Sequence, residues 1–134
     1  MNSYQDIITA MFNESETPAA INSAICAVTK MSAIEDKEPN LHPDGVFVWT
    51  LPNGNKVKEF GGEFPDFAGQ MDVAVSLIPQ GRKWSLTSTP ATGCFCTIIA
   101  NPNHEGPGYE SGRWPTVPLA ITFAALVARQ GLDI

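Results

Sequence analysis

The stretch that most constrains this chain is Thr116 to Gln130. Its composition predicts a helix whose circumference is largely covered by Leu119, Ile121, Phe123, Leu126 and Val127. Pro118 suits the first turn, and Gly131 stands just past the predicted end. A helix apolar on most sides is stable only inside a core or in an oligomer interface. Other elements, or another copy, must therefore cover it. With 134 residues the chain is long enough for one domain, 1–134, with a core of its own.

The covering elements follow from periodicity and turn chemistry. Ser3 is placed to cap a helix to about Phe12, with Ile7, Ile8, Met11 and Phe12 at helical spacing. Thr17-Pro18 starts a second helix, to about Met31; Ile21, Ala24, Ile25 and Val28 form its buried stripe and Cys26 lies off it. Residues 32–45 read as a loop. Val46–Leu51 and Lys56–Phe60 flank Pro52-Asn53-Gly54-Asn55, a hairpin pattern in which Lys56 and Lys58 guard an edge. Asp66 is placed to cap a third helix, Phe67 to Ile78. Arg82–Ser88 and Cys94–Ala100 form a second hairpin around Thr89–Gly93. The Cys94 strand is apolar on both faces, which predicts a central strand covered on both sides. Asn101–Pro115, with three glycines and three prolines, reads as a long loop. The order is α-α-β-β-α-β-β-α. The class is α+β: an antiparallel sheet of two hairpins sandwiched between helical layers.

Charge narrows the partners. The net charge is −6, and residues 1–45 hold seven acids against Lys30 and Lys37. Such a half repels phosphate backbones and anionic lipid, so neither direct nucleic-acid binding nor membrane binding is expected. An acidic face suits the basic groove of a nucleic-acid enzyme, although a solvated helix surface accounts for the same charges. The low charged content, 16%, points to self-association or complex formation. No basic stretch leads into an apolar one at the N-terminus, and no apolar run approaches the ~18 residues of a membrane span. The expected location is cytoplasmic, with Cys26, Cys94 and Cys96 reduced.

No arrangement of reactive residues meets a catalytic or metal-binding pattern. Cys94-Phe95-Cys96 with His42 and His104 lacks the paired spacing of a zinc site. His104-Glu105 matches neither a deaminase nor a zinc-protease signature. Gly61-Gly62 and Gly106-Pro107-Gly108 lack the lysine and the helix start of a phosphate loop. The expectation is therefore no catalytic residue, no metal and no cofactor. The candidate binding residues are His104, Glu105, Tyr109, Arg113 and Trp114, within residues 101–114. Tyrosine, tryptophan and arginine dominate binding hot spots, and they also anchor loops to cores.

Two segments carry a family resemblance. Asp66 to Trp84, with Asp72-Val73-Ala74, Leu77, Pro79, Gly81 and Trp84, is similar to a "DAA-x-x-L-x-P-x-G-x-x-W" pattern. Pro115 to Arg129 is similar to "T-P-A-L-A-L-C-x-A-A-L-x-A-R". Both resemble the phage ABA sandwich domain family of small phage and prophage proteins. Ile7–Ala10 and Pro18–Val28 resemble that family's opening helices. The chain departs from it at residues 101–114, a longer insertion, and at Phe67, where tyrosine is frequent. The resemblance implies a sheet between helical layers and a phage origin. It assigns no activity and carries over no catalytic residue. The expected function is that of a non-enzymatic accessory protein binding a host protein, or itself, in the bacterial host cytosol, with inhibition of a host defence system as one form. The alternatives are a small-molecule or nucleotide binder using residues 101–114, and a minor structural virion component.

Overall fold

The structure is a computed structural model that describes residues 1–38, 41–99 and 108–134. Its order is α1 (Tyr4–Phe12), α2 (Pro18–Val28), β1 (Ala33–Glu35), β2 (Val46–Thr50), β3 (Lys56–Phe60), α3 (Met71–Val75), β4 (Trp84–Thr89), β5 (Gly93–Ile98), β6 (Tyr109–Trp114) and α4 (Val117–Leu132). The class is α+β. The strands form two antiparallel sheets, β1-β2-β3 and β4-β5-β6. Each predicted hairpin has thus gained one strand from a segment expected to be loop.

Helix α4 is the centre of the molecule. Ala120 to Leu126 are buried on it in one run, and Ala128 beyond them. It packs against β5 and β6, and also against α1 and α3. Its apolar girdle therefore serves two layers of one core, and no second copy is needed to cover it. The caps at the other end of the chain are as the sequence predicts. Ser3 Oγ accepts from the Asp6 N–H and Thr17 Oγ1 from the Ala20 N–H. Gly131 falls inside α4, and Asp133 takes the left-handed cap position. A Cβ at Gly131 would lie 2.4 Å from Tyr109 Cε1, so this glycine lets the β6 tyrosine lie against the helix.

The third helix is much shorter than periodicity predicts, because side chains from α2 and α4 claim its backbone. Asn22 Oδ1 accepts from the Ala68 N–H at 3.1 Å, and Asn22 Nδ2 donates to Asp66 Oδ1 at 3.0 Å. Asp66 Oδ1 also accepts from the Gly69 N–H. Thr122 Oγ1 donates to the Phe67 carbonyl at 2.7 Å. Asp66 therefore closes a turn rather than capping a helix. Phe67 is sealed in the core by this clamp. At the far end, Arg129 Nε donates to the Leu77 carbonyl at 2.6 Å. Helix α4 thus holds residues 67–77 at both ends.

Two further expectations are corrected. The β5 strand is central, but helix α4 covers only the face of Cys94, Cys96 and Ile98. On the other face, Phe95 and Thr97 pair with exposed Thr87, Ser85, Arg113 and Glu110, and no helix among the described residues lies over them. Cys26 is buried, not off the stripe: it lies in the same core cluster as Ile21, Ala24 and Ile25.

If the clamp is what shortens the third helix, removing its buried donor must cost stability. Thr122→Val leaves the shape and deletes the bond to Phe67. It is expected to lower the unfolding free energy by about 1–3 kcal/mol in urea titration. Thr116→Ala, at an N-cap that makes no side-chain bond, is expected to change it by less than about 0.5 kcal/mol.

Candidate functional site

The residues singled out by sequence fall on strand β6, apart from His104 and Glu105, which lie outside the described residues. A bulge sets their directions. Phe95 pairs with Arg113 and Thr97 with Glu110, so Cys96 faces two residues, Ser111 and Gly112. Gly112 has φ +69°, which a side chain would resist. Ser111 turns inward, and its Oγ accepts from the Cys96 N–H at 2.9 Å. Tyr109 and Trp114 turn towards α4: the Trp114 ring stands 4.9 Å from Phe123, and its Nε1 donates to the Ser111 carbonyl. Arg113 is exposed on the open face of the sheet, beside Phe95. The structure therefore separates these residues: two rings face the core helix, and Arg113 faces away from it.

A wider recess lies elsewhere, between the end of β3 and the start of α2. After Phe60 the chain turns at Gly62, and Pro65 is buried, which returns residues 63–66 towards α2. The result is a groove of about 530 Å³ lined by Pro18, Asn22, Glu59, Glu63, Phe64 and Asp66, among others. It has three carboxylates, and none of the described lining residues is basic. The clamp described above fixes Asp66 there. Partial burial, with Glu63 and Asp66 close by, raises the pKa of Glu59 above the ordinary glutamate value.

A second recess of about 180 Å³ lies across Pro18. Met11, Ile21, Trp114 and Leu119 give it an apolar lining, and Glu14 and Glu16 also line it. Trp114, one of the sequence-selected residues, thus reaches a surface recess. The two recesses together carry five acids. Sequence reading missed the groove because Glu59, Glu63 and Asp66 belong to a strand, a turn and a clamp. Their only common signal is a run of acids around Gly61-Gly62.

Little else among the described residues suggests chemistry. Among the described residues no group of three or more histidine, cysteine, aspartate or glutamate side chains could hold a metal ion. The three cysteines are free and buried. Burial pushes the Cys26 thiol up to about 12, with the Glu59 carboxylate adding to it, and pushes Cys96 up to about 11. Such thiols are poor nucleophiles at neutral pH. No described helix is long and apolar enough to cross a membrane. Comparison with protein-family models, with characterised proteins and with solved structures gives no match.

Two measurements check these assignments. A carboxyl whose folded pKa is raised stabilises the fold only while protonated, so its contribution is lost as pH rises from the ordinary value through the raised one. Glu59→Gln is therefore expected to raise Tm at pH 7, and the gain should vanish at pH 4. A lowered Tm at pH 7 would mean that the fold uses this charge. Native protein at pH 8 is expected to react with an aromatic disulfide reagent far more slowly than urea-unfolded protein, which exposes all three thiols.

Proposed function

We propose that this chain is a non-enzymatic binding protein whose acidic groove holds a basic segment of a partner protein. The observation that carries this reading is the groove itself, a recess of about 530 Å³ with Glu59, Glu63 and Asp66 and no basic residue among its described lining. Glu14 and Glu16 extend the same sign of charge around Pro18, beside an apolar surface of Met11, Ile21, Trp114 and Leu119. Such a field steers a basic partner in and rejects an acidic one, and the apolar recess offers an anchor point. A second copy of this chain would bring like charge, net −6, to the groove. A different protein is therefore the better occupant.

The resemblance of residues 66–84 and 115–129 to small phage and prophage proteins supports a narrower version. In it the chain is a phage accessory protein acting on a host protein in the cytosol of an infected bacterium. A nucleic-acid-dependent defence enzyme fits this role, since its phosphate-binding surface is basic. The acids that attract such a surface also keep nucleic acid itself away.

The test is fluorescence anisotropy with a labelled, end-blocked hexalysine peptide. Saturable binding is expected at 50 mM salt, weakening roughly tenfold by 300 mM as the charges are screened. The double variant Glu59→Gln/Glu63→Gln is expected to lose most of it, and Glu14→Gln/Glu16→Gln to lose less. No binding, or equal binding by the first double variant, would refute the reading.

A further inference from the structure

We propose that a recess beside the acidic groove is an arginine-binding site, which takes one guanidinium of the partner's basic segment against aromatic rings. The inference rests on the protein-binding reading and adds the residue type that is recognised.

The site comes from the strand alternation of β2. Phe47 and Trp49, two apart, share one face of the β1-β2-β3 sheet. Across the sheet, Phe47 pairs with Glu35 on one side and Glu59 on the other, while Trp49 pairs with Ala33 and Val57. Phe47 thus sits in a row between two glutamates. The chain then turns at Gly62 (φ +87°), and Phe64 comes over Trp49 with ring centres 5.6 Å apart and planes at 50°. Phe47, Trp49, Phe64, Ala33 and Glu63 line a cavity of about 250 Å³. Gly62, Glu63 and Phe64 line the acidic groove as well, so the two spaces adjoin.

The chemistry of this cavity selects a cation. Its rings are not sealed in the core: Phe64 is 38% exposed, and Phe47 and Trp49 are half-buried. The negative ring faces attract positive charge, and Glu35, Glu59 and Glu63 around them add full charges of the same sign. An anion would be repelled. Between the two basic side chains, a guanidinium fits better than an ammonium. It is planar, so it stacks on a ring, it is more weakly hydrated, and its fork pairs with a carboxylate through two hydrogen bonds. An ammonium is a compact, strongly hydrated point charge that gains less on leaving water.

The indole Nε1–H of Trp49 is buried and meets no acceptor among the described residues. It gives a direct reporter in a nitrogen–proton NMR spectrum, assigned with Trp49→Phe. The experiment compares end-blocked hexa-arginine and hexalysine peptides on the wild type and on Phe64→Ala, a position far enough from the core to keep the fold. Hexa-arginine is expected to bind about three- to fivefold more tightly than hexalysine and to shift the Trp49 indole resonance. Phe64→Ala is expected to weaken hexa-arginine more than hexalysine and so to narrow the difference between the two peptides. Equal affinity of the two peptides for the wild type, with the Trp49 resonance unmoved, would overturn the arginine site and leave the groove standing. Failure of both peptides to bind would overturn both.

Discussion

The structure depends on helix α4 being buried on most of its circumference while two of its polar side chains reach into a neighbouring segment. Apolar burial alone would hold the helix but leave residues 65–78 free to continue their own helix. Thr122 and Arg129 remove that freedom by binding the carbonyls of Phe67 and Leu77. Asn22, from the opposite side, takes the Ala68 N–H. A buried hydroxyl or amide is costly unless it is satisfied, so these contacts specify one arrangement of the turn and disfavour others. Phe67 is fully enclosed as a result. Burial of that ring contributes about 1.5–3 kcal/mol.

The same clamp sets the surface. Asp66 is held by Asn22 and by its own turn, so its carboxylate stays at the edge of the groove beside Glu59 and Glu63. Partly burying a carboxylate beside like charges opposes folding, and Glu59 has its pKa raised by burial first and by Glu63 and Asp66 second. Proteins keep unfavourable charge clusters where a partner of opposite sign relieves them. The aromatic rings of Phe47, Trp49 and Phe64 fit the same logic, since they stand half-exposed next to the carboxylates. One sheet face and one turn thus supply both charge and stacking surface.

Much of this fold was legible in the sequence. The caps at Ser3 and Thr17, the Asn53-Gly54 hairpin, and the apolar girdle of α4 follow from local rules that depend on a few neighbouring residues. What escaped depends on distant ones. The pattern Phe67 to Ile78 is helical by period, and only side chains 44 to 55 residues away in sequence, Asn22 and Thr122, show why most of it is not. Strand β1 is short, with exposed Ile34, and β6 is broken by a bulge at Ser111-Gly112, so neither shows clean alternation. The candidate site was legible in part. The aromatic content of residues 109–114 was visible, but which way Tyr109 and Trp114 turn was fixed by the register with β5. The groove acids were not legible as a group, because Asp66 reads as a helix cap and nothing local places Glu59 beside it.

The central claim is that α2 and α4 lock the turn around Phe67, and thereby build the groove. Native-state hydrogen exchange of the Ala68 N–H tests it most directly, because that donor is bonded to the buried Asn22 side chain of α2. Its exchange is expected to be as slow as that of the α4 core amides. In low urea it should accelerate in parallel with them, which marks opening only through global unfolding. Fast exchange insensitive to urea would show that the turn opens on its own, and the account of the groove as a fixed surface would be contradicted.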